Sequence, residues 1–385
     1  MAYIFYTNRD EKQTQGTLHD PNNNYCLILH TISYTLQEVL YMNLIELEKK
    51  IVPEIIDILE LRYNILRNIL YNEPIGRRGL AVKLNMGERT IRTEVNILKE
   101  QGLITIETMG MYVTEEGKNL IDSLDDVVRE LRGISELEKA LKEILNVKNV
   151  IIVPGNADEN ELVLKDMGKT TSVYMRNLIK DNFIIGVTGG TTMARVAEEM
   201  PPGKVSENVQ VIPARGGLGK DMETQSNSIA ARIAKKLDAN YKLLHVPDNI
   251  DQNTLNALLE LQDIKEVIEL LDKMNMLVFG IGRADVMAGR RHLSKEQIEL
   301  LNRREAVGEA FGHYFDINGS EVWNTLTVGI TLESFRKIPL VIGVAGGERK
   351  AEAIMAVSSL RKDMTIITDE AAANRIIKIV NKATK

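Results

Sequence analysis

The stretch Phe183-Ile-Ile-Gly-Val-Thr-Gly-Gly-Thr-Thr-Met193 reads as an apolar strand, a double-glycine turn and a helix opened by two hydroxyl side chains. Glycines 189 and 190 let the backbone approach an anion closely. Unbonded N–H groups and the dipole at a helix start attract phosphate, which makes Gly190, Thr191 and Thr192 candidate ligands. The plainer alternative is a tight strand–helix turn with no ligand, and the Walker lysine is absent.

Further apolar runs at 150–153, 209–213, 242–246, 276–280, 340–344 and 365–368 alternate with amphipathic helical stretches. Strands that are apolar throughout and separated by helices predict a mostly parallel sheet covered on both faces, an α/β fold of Rossmann-like type over 149–385. Open sheets of this kind hold ligands at the carboxyl ends of their strands. Four further constellations are placed there. Pro213-Ala-Arg-Gly-Gly217 offers Arg215, and Gln225 opens the next helix. Gly280-Ile-Gly-Arg283 is followed by Arg290 and Arg291; it lacks the third glycine of a dinucleotide fingerprint, so NAD is not expected. Gly308-Glu-Ala-Phe-Gly312 supplies Glu309. Val344-Ala-Gly-Gly-Glu-Arg-Lys350 repeats the glycine turn into a helix, with Lys350 one turn inside. Any one of these is explained by a surface charge. Several cations and one carboxylate converging on a crevice suit a ligand with phosphates and hydroxyls.

The 385 residues are enough for two or three domains. Hydrophobic content of 44% and charged content of 26% fit an ordinary globular protein. Cys26 is the one cysteine, which excludes a disulfide framework and a thiolate metal site. No apolar run reaches the ~18 residues of a spanning helix, so no membrane partner is expected and a cytoplasmic place is. The net charge of −6 argues against nucleic acid. Between Gly76 and Lys99, however, Arg77, Arg78, Lys83, Arg89, Arg92 and Lys99 stand against Glu88 and Glu94, a local +4.

That basic segment has the order of a winged helix-turn-helix. Helices are expected over 78–84 and 88–101, a turn at Asn85-Met86-Gly87, and a two-stranded wing over 104–113, with Thr114 capping the next helix. On the second helix Ile91, Val95 and Leu98 form a buried face. Arg89, Arg92, Thr93 and Asn96 form an exposed row that carries no unfavourable carboxylate. Arginine and asparagine read guanine and adenine edges, so this row, with Arg77 and Arg78 beside it, is the candidate contact to double-stranded operator DNA. The bland alternative is a solvated charged helix. The domain reading is an N-terminal extension over 1–41, a DNA-binding domain over 42–117, a helical connector over 118–148 and an effector domain over 149–385. Helical periodicity begins at Met42, which is read as the start, a flexible extension being the alternative.

An enzyme of phosphosugar chemistry would need a positioned base. Glu309, His245, His292 and His313 are the candidates, and no acid–histidine pairing stands out at motif spacing. From about residue 45 onward the chain resembles the SorC-type sugar-binding transcriptional regulators, and within them the branch that controls glycolytic genes. The resemblance is densest in Pro74-Ile-Gly-Arg-Arg-Gly-Leu-Ala81, Gly189-Gly-Thr-Thr-Met193, Pro213-Ala-Arg-Gly-Gly217, Gln225-Ser-Asn-Ser-Ile229, Glu309-Ala-Phe-Gly312 and Ala345-Gly-Gly-Glu-Arg-Lys-Ala-Glu-Ala-Ile354. It implies a phosphosugar-isomerase-like fold that senses rather than catalyses. It also implies a repressor relieved by fructose 1,6-bisphosphate and a homo-oligomer, dimer or tetramer, on its operator, with no cofactor. The roles it implies put Thr191 and Thr192 on one phosphate with Arg215, Arg290 and Lys350 as cationic partners. Gln225 and Glu309 would bond sugar hydroxyls or orient those cations. Arg283 is left outside this set. A sugar monophosphate is the alternative effector.

Overall fold

The computed structural model describes residues 53–217, 221–247 and 250–383. The expectations for 1–41 and for a helix beginning at Met42 lie outside these residues. Contacts divide the chain after Asp122 into two units, and each is described by itself.

In the first unit α1 (Pro53–Asn72), α2 (Arg77–Lys83) and α3 (Glu88–Glu100) precede β1 (Ile104–Ile106), β2 (Met111–Val113) and the start of α4 (Glu115–Leu131). Ile65, Leu66 and Ile69 of α1 are buried, as are Leu80 and Ala81 of α2 and Ile91, Val95 and Leu98 of α3. The i, i+4, i+7 spacing of the last three turns one side of α3 inward. Gly102, at φ +76°, lies just beyond its end, the backbone state that glycine adopts without steric cost. The wing pairs Ile104 with Val113 and Ile106 with Met111. Ile75 bridges Met111 as a further edge, and the Glu73 carboxylate accepts from the Val113 N–H at 2.9 Å. Thr114 Oγ1 accepts from the Gly117 N–H at 3.1 Å, as its place before α4 predicts. A Cβ on Gly117 would stand 2.3 Å from the Leu103 carbonyl; only glycine lets α4 start this close to the wing.

The second unit continues with α5 (Ile134–Leu145), β3 (Asn149–Val153), α6 (Glu161–Leu178), β4 (Ile184–Val187), α7 (Thr191–Glu199), β5 (Gln210–Pro213), α8 (Ser226–Leu237) and β6 (Asn240–Tyr241). Then come α9 (Gln252–Leu259), α10 (Gln262–Asp272), β7 (Met276–Gly280), β8 (Gly282–Arg283), α11 (Ala284–Arg290), α12 (Lys295–Arg303), β9 (Gly308–Ala310), β10 (His313–Phe315) and β11 (Glu321–Asn324). The chain ends with α13 (Leu332–Lys337), β12 (Leu340–Val344), α14 (Ala351–Ser358), β13 (Thr365–Asp369) and α15 (Glu370–Ala383).

Seven of these strands make a sheet in the order β3-β13-β12-β7-β4-β5-β6, with every neighbouring pair parallel. Strand side chains alternate, so the two faces feed separate cores. Leu277 and Phe279 point into one, with α5, α10, α14 and α15 supplying Leu141, Val267, Ile354 and Ile376. Met276 and Val278 point into the other, under Met167 of α6, Val196 of α7 and Ile233 of α8. The stretch 118–148, read as a connector, is helical; Ile134, Leu141 and Leu145 of its second helix belong to the core itself.

Two expectations need correction. The run 242–246 is not a strand: β6 is only Asn240–Tyr241. The reason is the buried Asn227 side chain, which accepts from the Leu244 N–H at 2.9 Å and donates to the Leu244 carbonyl at 3.1 Å. An amide there satisfies the main-chain groups a neighbouring strand would have taken. The second difference is an antiparallel sheet, β11-β10-β9-β8, which was not anticipated. Its strands are two to four residues long, too short to show a period of two. Glu309 therefore lies on β9 rather than on a loop after a parallel strand.

Asp369, fully buried at the end of β13, joins three segments. Its carboxylate accepts from the N–H groups of Ala157 at 2.6 Å, Gly347 at 2.7 Å and Ala372 at 2.9 Å. Burial raises its pKa above the usual carboxylate range, against the pull of these three donors. Asp369→Ala strands three buried donors and is expected to lower stability by about 3 kcal/mol or more, at ~1–3 kcal/mol per unmet group with losses shared on relaxation. Urea unfolding of the two proteins measures this; a loss below 1 kcal/mol would show that other groups replace the carboxylate.

Candidate functional site

After β4 the chain moves to one side of the sheet, to β5 and β6, and it then crosses to the other side of β4 for β7, β12 and β13. Connections leaving β4 and β7 thus part in opposite directions, and a crevice opens between their carboxyl ends. Here the Gly280 N–H donates to Thr188 Oγ1 at 3.0 Å, tying the two strand ends together. A cavity of about 310 Å³ occupies the crevice.

All eight residues selected from sequence for an effector line it: Gly190, Thr191, Thr192, Arg215, Gln225, Arg290, Glu309 and Lys350. Gly190 takes φ +114° and donates to the Thr224 carbonyl at 2.8 Å. A Cβ on Gly189 would meet that same carbonyl at 2.7 Å. With this turn fixed, α7 begins without a side-chain cap. Its first-turn N–H groups are free to meet an anion, with the exposed Thr191 hydroxyl beside them.

The second glycine turn behaves differently. Gly347 N–H donates to Asp369, as above, and Arg349 N–H donates to Asp158 at 3.1 Å. Protein carboxylates already occupy this turn, so its backbone is not an anion site. Only Lys350 reaches the cavity from it. Burial lowers the Lys350 ammonium below the usual lysine range and the Arg290 charge pushes the same way, while Asp158 and Asp369 oppose them. Two cations facing one space repel one another, and an anion placed between them would relieve that repulsion.

Arg215 is buried. Its guanidinium lies against Gly312, where a Cβ would stand 3.0 Å from Cζ, and its own Cβ sits over Gly329. The cation that Glu309 holds is Arg291, at 2.8 Å, and Glu309 also accepts from the Gly312 N–H at 2.6 Å. Sequence reasoning passed over Arg291, because adjacent arginines at a helix end give no sign of which one turns inward. The Arg291 and Glu309 side chains are 12% and 4% exposed, which makes this a buried pair. Arg291 also lies 5.9 Å over the Tyr314 ring, whose hydroxyl pKa burial pushes up to about 12. Arg283, set aside earlier, also lines the cavity.

None of the histidines lines this space among the described residues. An acid–histidine pair lies elsewhere, outside the cavity: His313 Nδ1 is 2.6 Å from Glu321. No group of three metal-ligating side chains occurs among the described residues, and no described helix is long and apolar enough to cross a membrane.

On the first unit, Arg89, Arg92, Thr93 and Asn96 are exposed along α3, and Arg78 is exposed on α2. Arg77 donates to Asn96 Oδ1 at 3.3 Å, linking the two helices. Glu94 is turned away and binds Arg62 at 2.8 Å. The row is not free of carboxylate, however. Glu88 stands 3.5 Å from Arg78 and 3.8 Å from Arg92. These pairs are exposed and weak, and DNA phosphates can replace them.

Both parts of the chain match known protein families. Residues 129–378 match a family described as a sugar-binding domain, and 58–128 match the CggR N-terminal DNA binding domain. The central glycolytic genes regulator of Bacillus subtilis (strain 168) is 41% identical over 335 residues, 87% of this chain and 98% of that protein. A crystal structure described as a SorC family transcriptional regulator from Enterococcus faecalis is 37% identical, with a TM-score of 0.59 over 63% of this chain and 99% of its own. The full-length sorbitol operon regulator SorC of Klebsiella pneumoniae shares the fold at 23% identity, with a TM-score of 0.59 over 83% of this chain and 98% of its own.

The buried pair beside the cavity is open to direct test. Glu309→Gln leaves the Arg291 charge buried without its counter-ion and is expected to cost about 3–5 kcal/mol. Replacing both, as Glu309→Gln with Arg291→Met, should cost clearly less. Chemical unfolding of the three proteins decides; a double variant no better than the single one would show that the pair is not energetically coupled.

Proposed function

We propose that this chain, which belongs to the SorC family of sugar-binding transcriptional regulators and is a homologue of the central glycolytic genes regulator, is a cytoplasmic repressor of glycolytic genes released from its operator by fructose 1,6-bisphosphate. It is a DNA-binding and sugar-binding regulator and not an enzyme. The observation that carries the effector reading is the convergence of Arg215, Arg283, Arg290, Arg291 and Lys350 on one cavity whose described lining has a single carboxylate, Glu309. That excess of positive charge exceeds what one phosphate needs. Thr191 and Thr192 take one phosphate at the start of α7, and Arg290 and Lys350 take the other. Arg215 and Gln225 bond the sugar between them. Ile55 and Ile58, 52% and 43% exposed on α1, support a second copy of the chain packing there, so the operator-bound form is a dimer or tetramer.

A monophosphate effector has one observation in its favour, the closing of the second glycine turn by Asp158 and Asp369. Titration calorimetry separates the two. Fructose 1,6-bisphosphate should bind more tightly than fructose 6-phosphate, and Lys350→Ala should weaken it more than Gln225→Ala, because a charge-assisted bond is worth about twice a neutral one. Equal affinity for both sugars, or an unaffected Lys350→Ala protein, would overturn the bisphosphate reading. The effector acts on DNA only through its preference for one arrangement of the assembly, and operator DNA must change sugar affinity by the same factor.

For the reader, Arg89→Ala and Arg92→Ala are each expected to cost about 1–3 kcal/mol of operator binding and to relax base choice at one position. Binding curves against an operator library at fixed salt test this. Undiminished affinity and preference in the double variant would remove both side chains from the interface.

A further inference from the structure

We propose that Arg283 sets the effector specificity of this site, exchanging its carboxylate partner Asp285 for an anionic group at one end of a doubly phosphorylated sugar. The inference rests on the sugar-phosphate reading above and adds a residue which that reading leaves without a role.

Helix α11 turns one face to the cavity. Arg283 caps it, and Val286, Met287 and Arg290 follow at three, four and seven residues; all four line the space. That spacing puts Val286, Met287 and Arg290 on one side of the helix, with Arg283 in extended conformation just before its first residue. The strip therefore runs from Arg290 through an apolar middle to Arg283, whose side chain also lines the neighbouring space that holds Asp285. Val286 is apolar yet 42% exposed, so the middle of the strip is open to a ligand. A carbon chain carrying a phosphoester at both ends matches this pattern, whereas a monophosphate satisfies only one end.

The Arg283 backbone is held: it pairs with Gly308 of β9, and the next N–H, of Ala284, donates to Val307 at 3.0 Å. Its guanidinium donates to both Asp285 oxygens, at 3.1 and 2.5 Å. The Asp285 side chain is 60% exposed, so water screens this pair and holds it weakly. A phosphate in the crevice, carrying up to two charges in a drier place, is the stronger partner. The contrast with Arg291 supports the exchange, since that arginine is fixed to a carboxylate only 4% exposed. Asp285 also accepts from the Val286 N–H at 2.8 Å, so the helix start survives when the arginine leaves.

Calorimetry on the full chain with fructose 1,6-bisphosphate and fructose 6-phosphate, for the native protein, Arg283→Gln and Asp285→Asn, tests the proposal. Asp285→Asn keeps an acceptor for the Val286 N–H while removing the charge that competes for Arg283. Arg283→Gln should weaken bisphosphate binding about tenfold, the loss of one charge-assisted contact, and leave monophosphate binding nearly unchanged. Asp285→Asn should strengthen bisphosphate binding. Equal weakening of both sugars by Arg283→Gln would assign the residue a general structural role and overturn the proposal. So would unchanged binding in both variants, or weaker bisphosphate binding in Asp285→Asn. If the native protein preferred the bisphosphate and Arg283→Gln kept that preference, this inference alone would fall; if the native protein bound neither sugar, the effector reading would fall with it.

Discussion

The switch, between β4 and β7, in the side of the sheet to which successive strands are added is the constraint on which the sugar-binding unit depends. Two parallel strands whose connections leave on opposite sides cannot close the space above their carboxyl ends. The Thr188–Gly280 hydrogen bond fixes the width of that opening. Everything brought to it arrives on a segment anchored elsewhere: α7 by its turn against Thr224, Arg215 between two glycine backbones, and α11 through the antiparallel sheet. The site is thus assembled from rigid pieces rather than from one loop. That suits a protein whose ligand must bias an equilibrium, since differential affinity requires a site with definite geometry.

Two glycine turns of nearly the same sequence design meet different fates. Gly189-Gly190 leads into α7, where no side chain caps the first turn. Gly346-Gly347 leads into a turn whose N–H groups meet Asp369 and Asp158. In the second, buried donors find acceptors within the protein; in the first, the helix opens at the exposed Thr191 without one from a side chain. Local sequence does not distinguish them, because the deciding carboxylates are remote in the chain: Asp158 follows β3 and Asp369 ends β13.

The same reasoning marks what was legible in the residues alone. Strands 276–280 and 340–344 were readable to the residue, because buried parallel strands are apolar at every position. The run 242–246 has the same composition and is not a strand, since Asn227, fifteen or more positions earlier, takes its main-chain groups. The antiparallel sheet was invisible for want of length. All eight effector candidates do line one cavity; the glycine turn at the end of β4 is a local signal that marks Gly190, Thr191 and Thr192, whereas Glu309 and Arg290 reach it from elements that glycine turns do not announce. That Arg291 and Arg283 also line it was not legible, for which partner an arginine finds is settled by packing and not by spacing. On the reader, the exposed row of α3 follows from helical periodicity, whereas the approach of Glu88 to Arg78 and Arg92 depends on how α2 and α3 pack.

The Asn227 amide has a consequence for how the molecule meets others. A parallel sheet with an open last strand offers a ladder of unpaired groups to any chain of similar kind, and such edges invite aggregation. Here β6 is two residues long, and the chain just beyond it is bonded to a side chain of its own domain. A newcomer aligned along that border would find too few free donors and acceptors to hold a register. The protection comes from one buried amide on a helix of the same domain, added to the charge of Lys242 and the proline at 247 that the edge segment itself carries.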